Sequence, residues 1–74
     1  MEELREYAIK VLNNKLSYFN DKSNFDAVFT ADNYYIMCCS YALAYNEIGI
    51  FNYAEINMWQ DKFAHAWYRV KHDI

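Results

Sequence analysis

Residues 34–48 read YYIMCCSYALAYNEI, and the rest of the chain is arranged around them. At about 100° of rotation per residue, Met37, Tyr41, Ala44 and Ile48 line one side of a helix, with Tyr34 and Tyr45 beside them. Ile36 and Leu43 point nearly the opposite way, and Cys39 and Ala42 fill the gap between. Asn33, Ser40 and Glu47 form the one clear polar seam, with Asp32 and Asn46 near it. A helix apolar over most of its circumference is expected to be buried on several sides. Two flanking helices can cover much of it, though in so short a chain not necessarily all. A strand fails on length and on alternation, since MCCSYALAY does not alternate. A membrane span needs about 20 apolar residues, and this stretch is shorter and ends in Asn46 and Glu47.

The stretch sits in a chain of 74 residues, a length expected to give a single helical domain over residues 1–74. A chain this small buries only about 60% of its unfolded surface, so large rings are one way to build a core from few residues. Here 20% of residues are aromatic, Pro is absent and Gly occurs once, which favours an all-α fold. The net charge of −3 argues against general affinity for a nucleic-acid backbone, which needs clustered Lys and Arg. It suits a basic partner or ordinary solubility. Cys38 and Cys39 are neighbours about 100° apart on a helix, unable to bridge each other or share one ion. They read as buried, reduced thiols and suggest a reducing, cytoplasmic setting. The start, MEELREYAIK, lacks the apolar run of a signal peptide.

Before the central stretch, a first helix is expected from Glu2 to about Phe19, with Leu4, Ala8, Val11, Leu12, Leu16 and Phe19 on one broad face. Lys15 intrudes on that face and is expected to lay its stem over apolar surface with its ammonium in water. Ser23 followed by Asp26 resembles a capping box with Asp in place of Glu, and Thr30 offers a second cap before Ala31. Two readings stay open: a short helix over 24–30 followed by a longer one, or one bent helix over 24–48.

After it, Gly49 stands where a left-handed C-terminal cap is needed. Asn52 and Glu55 make an N-cap and N3 pair, and Phe51 and Ile56 stand at the positions of a hydrophobic staple. A last helix from Tyr53 to about Lys71 carries Ile56, Trp59, Phe63, Ala66, Trp67 and Val70 as its inward stripe. Asn57, Asp61, His65, Arg69 and His72 lie on its other side with Met58 and Tyr68. The expected architecture is a small antiparallel three-helix bundle with a C-terminal αα-hairpin.

The spacing Tyr45-x3-Gly49-x-Phe51-x2-Ala54 resembles the inter-helix part of a tetratricopeptide repeat, and Ala42 could take its small-residue position. Asp61 stands where that repeat wants a small apolar residue and Ala66 where it wants proline, and there is no second copy. Repeat arrays need about three units, so the resemblance implies the geometry of a tight helical hairpin and no function.

No catalytic set emerges. Asp61 and His65 are four apart on one helical face and could share a metal or act as a carboxylate-oriented base, but no third ligand accompanies them. His65 and His72, seven apart, could form a pH-sensitive patch. No cofactor, metal or enzyme activity is expected. The eight tyrosines carry more. Tyr35, Tyr53 and Tyr68 fall away from the main stripes, and exposed Tyr is over-represented at interface hot spots.

The expected function is a non-catalytic protein-interaction module, using those three tyrosines and the acidic residues Glu2, Glu3, Glu6, Asp26 and Asp32 against a basic protein surface. In size and charge alone the chain is similar to phage inhibitors of host defence complexes such as anti-CRISPR proteins, which act in the host cytoplasm. The alternatives are a single-strand nucleic-acid binder that stacks bases on Tyr and Trp, and a structural homodimer.

Overall fold

A computed structural model gives the fold, and residues 2–72 are described. Three α-helices, α1 (Glu2–Ser17), α2 (Ala31–Glu47) and α3 (Tyr53–His72), are present, with no strand among the described residues. The expected all-α bundle with its C-terminal hairpin is what forms.

The hairpin boundary follows the sequence atom by atom. At the end of α2 the Ile50 N–H reaches back to the Tyr45 carbonyl at 2.9 Å, and the Gly49 N–H reaches the Asn46 carbonyl at 2.9 Å. That pair of bonds is a Schellman cap, which needs a left-handed residue, and Gly49 has φ +84°. The Asn46 side-chain amide then holds the Phe51 carbonyl at 2.7 Å. At the start of α3 the capping box closes in both directions. The Glu55 N–H donates to Asn52 Oδ1 at 2.9 Å, and the Asn52 N–H donates to Glu55 Oε1 at 3.1 Å. Phe51 and Ile56, the two staple positions, are both buried.

The segment before α2 resolves the open choice. No helix forms over 25–29, either separate or as the start of a bent one. Asp26 does not close a box with Ser23. Its Oδ1 instead accepts the Val28 and Phe29 amides at 2.8 and 2.6 Å, folding the chain into a side-chain-capped turn. Ser23 gives its amide and hydroxyl to Asp21. Helix α2 begins at Ala31, where Thr30 Oγ1 accepts the Asn33 amide at 3.1 Å. The first helix is α-helical only to Ser17, then tightens into 3₁₀ turns at Tyr18–Asn20 and Lys22–Asn24. The Asn24 side chain pins this bend by donating to the Tyr18 carbonyl at 3.0 Å.

Side-chain contacts fix the helix directions. At one end Asp32 meets Trp67 and Lys71, and at the other Tyr45 packs on Phe51, so α2 and α3 are antiparallel. The Tyr34 hydroxyl donates to the Lys15 carbonyl at 3.1 Å, while Arg5 reaches Ile50 and Glu55, so α1 runs against α2 as well. The core is Ala8, Leu12 and Phe19 from α1 and its extension, Tyr34, Cys38 and Ala42 from α2, and Ile56, Trp59, Phe63 and Ala66 from α3. Phe25 and Phe29 stack on each other and meet Tyr18 and Tyr34 edge-on or tilted, closing one end of the bundle with rings. Trp67 and Val70 complete the expected stripe of α3. Lys15 lays its ammonium 4.1 Å from the centre of the Tyr41 ring.

A candidate interaction face on the second helix

Helix α2 is not buried on several sides. Its covered line is Ala31, Tyr34, Cys38 and Ala42, with Tyr35, Cys39 and Tyr45 half-buried at the margins. Among the described residues two other helices, α1 and α3, are there to cover it. Both touch α2 from the same half of its circumference. The rest faces outward and is mostly apolar: Ile36 is 62% exposed, Ile48 65%, Leu43 45% and Met37 36%.

This open arc has an order. Asn33, Ser40 and Glu47 run down its middle, all exposed. Ile36 and Leu43 flank the seam on one side, and Met37, Tyr41, Ala44 and Ile48 on the other. The Ser40 hydroxyl donates to the Ile36 carbonyl within the helix at 3.0 Å, so the centre of the seam is already satisfied and cheap to desolvate. Along the first flank a groove of ≈ 370 Å³ lies between α2 and α3, lined by Tyr35, Ile36, Cys39, Ser40, Leu43 and Gln60. Along the second, Met37, Ser40, Tyr41 and Ala44 line a shallower depression of ≈ 210 Å³. Exposed apolar side chains gathered along both flanks of one helix face, rather than scattered singly, mark contact sites. Tyr7 of α1 is 63% exposed.

The residues expected to bind a partner are placed differently from one another. Tyr53 is 76% exposed at the start of α3, and Tyr68 is exposed near its end, with its ring 4.1 Å from that of His72. Tyr35 is half-buried, its ring stacked on Trp67 at 5.3 Å. The helical wheel put Tyr35 off the stripe of α2, but the wide rings of α3 reach round to cover it. The carboxylates do not share a face. Glu2, Glu3 and Glu6 stand at the start of α1, the end of the bundle where Arg5 meets the α2–α3 turn. Asp26 and Asp32 stand at the opposite end of a molecule 37 Å long. Asp26 is engaged by two backbone amides and Asp32 by the Trp67 indole at 2.7 Å and by Lys71. These bonds hold both carboxyls below their ordinary range.

The other candidate chemistry stays dispersed. Asp61 and His65 are exposed on α3, and among the described residues no three His, Cys, Asp or Glu side chains come together as a metal site. Cys38 is buried and Cys39 half-buried, both free. Burial pushes the Cys38 thiol up to about 11, away from the reactive thiolate. No helix among the described residues is long and apolar enough to cross a membrane. The sequence already showed the signal for the open face, a central helix whose polar seam is one residue wide. The expectation of burial on several sides does not hold, and the uncovered part left open by the shortness of the chain is about half of the helix surface. Searches of protein-family models, curated proteins and solved structures find no match to this chain.

Proposed function

We propose that the chain is a non-catalytic protein-interaction module that docks its partner on the outer face of α2. One observation carries this reading: Ile36, Met37, Leu43 and Ile48 stand exposed along one helix face with a narrow polar seam between them. An amphipathic groove or helix laid along that face would bury the apolar flanks and leave the seam its few polar contacts, the helix-in-groove mode of recognition. Tyr41 adds an exposed ring to the same face, a residue type over-represented among interface hot spots.

Inhibition of a host complex through acidic mimicry of a nucleic acid is a narrower version of the same reading. It asks for carboxylates on one surface, and Glu2, Glu3 and Glu6 are separated by the length of the bundle from Asp26 and Asp32. The apolar face therefore supplies the main affinity in this proposal, with the acidic start of α1 as a steering charge.

The test is an affinity capture from lysate of the source cell, with the intact chain and two variants as baits. Leu43→Asp places a charge on an apolar flank of the face, and Arg69→Ala alters the far side of α3. The expected result is a stoichiometric partner held by the wild-type chain and by Arg69→Ala, lost by Leu43→Asp, and retained when salt is raised to about 1 M, where exposed charges are screened within about 3 Å. A partner indifferent to Leu43→Asp, or one released by salt alone, would overturn the assignment of the face.

A further inference from the structure

The seam of α2 repeats every seven residues, and its two ends are chemically complementary. Asn33 offers an amide and Glu47 a carboxylate, both exposed, with Ser40 midway between them. Residues seven apart drift by only about 20° on a straight helix, so the three lie nearly in line. A helix face of this kind can meet itself. Around a twofold axis through Ser40 and across the face, the position seven residues before the centre meets the one seven residues after it. Asn33 of each copy then opposes Glu47 of the other, twice by symmetry, and the two satisfied serines meet at the middle.

The flanks agree with the same operation. The axis exchanges the ends of the helix and keeps its left and right, so Ile36 meets Leu43 of the other copy, and Met37 meets Ala44. One flank pairs large side chains and the other pairs large with small, the interdigitation that close helix packing requires. A parallel pairing would set Glu47 against Glu47 and leave two like charges in contact, which is unfavourable.

We infer that the occupant of the outer face of α2 is a second copy of this chain, paired antiparallel about Ser40. The inference rests on the docking reading above and names its partner. The closed twofold pair covers Ile36, Met37, Leu43 and Ala44 of both copies at once and leaves no free copy of the face to propagate.

Sedimentation equilibrium of the intact chain, run over a concentration series from about 1 to 200 µM, tests it. The wild-type mass should rise from that of one chain toward that of two. Leu43→Asp should stay at one chain throughout, with its helical circular dichroism unchanged. Asn33→Lys is the discriminating variant. Antiparallel pairing puts its ammonium against Glu47 of the other copy and should tighten the dimer about threefold to tenfold, the yield of two solvent-exposed ion pairs. A dimer weakened by Asn33→Lys would overturn the antiparallel register. A wild-type chain that remains single across the series would overturn self-pairing. The docking reading would then stand only if that single chain still captured a Leu43-dependent partner from lysate, and would fall with it if none were captured.

Discussion

Glu55 has two tasks at one position. Its Oε1 closes the capping box of α3 by accepting the Asn52 amide, and its carboxylate also takes both arms of the Arg5 guanidinium from α1. Arg5 in turn donates to the Ile50 carbonyl at 3.0 Å and lies over the Phe51 ring, so the helix start, the hairpin turn and the first helix are tied together. Glu55→Ala should cost about 1–2 kcal/mol, read as a lower denaturant midpoint with unchanged slope. Cys38 sets a limit of a different kind. Its thiol is held neutral by burial, with a folded pKa of about 11 against an ordinary 9.0. A raised pKa gives stability that is fully present below the ordinary value and is lost as pH climbs through the folded one. The denaturant midpoint should therefore be flat near neutrality and fall between pH 9 and about 11. The half-buried Cys39, Tyr35 and Tyr45 are shifted in the same direction and add to the fall. A midpoint constant to pH 11 would contradict the burial of the thiol.

Among the elements, the α2–α3 connection is the one whose conformation a single residue decides. Gly49 has φ +84°, and a Cβ built there meets nothing within 4 Å. Any penalty for a side chain is thus a backbone penalty, without a clash to relieve. Gly49→Ala should destabilise by about 1–2 kcal/mol, the cost of holding an L-residue left-handed. Gly49→Asn should cost less, because Asn tolerates that region. Equal loss from both would mean that the turn is held by something other than the cap. The connection before α2 lacks so clear a signal. Ser23 and Asp26 carry the chemistry of a helix start, and so does Thr30, and only Thr30 caps one. Asp26 explains the outcome. Its carboxylate takes the Val28 and Phe29 amides and closes a turn, from which the Phe25 and Phe29 rings stack on each other and meet Tyr18 and Tyr34 at the end of the bundle.

Over the whole molecule, burial separates residues that fold the chain from residues left for a partner. Phe63 is fully buried beside Phe19 and Trp59, so Phe63→Ala should cost about 3–5 kcal/mol, much of the stability of so small a chain. Leu43→Asp, on the open face, should change the monomer's unfolding free energy by no more than about 0.5 kcal/mol. A large loss from Leu43→Asp under monomeric conditions would place Leu43 in the core instead. The three helices, the Gly49 cap, the Asn52–Glu55 box and the inward stripe of α3 are all legible in the order of the residues. Each of these is local chemistry or helical period, complete within a few residues of chain. Which side of α2 is covered, the stacking of Tyr35 on Trp67 and the division of the acidic residues between the two ends emerge in three dimensions alone. Those are matters of how far one helix reaches around another, and an α2 that is apolar on every side carries no period to say where its neighbours will lie.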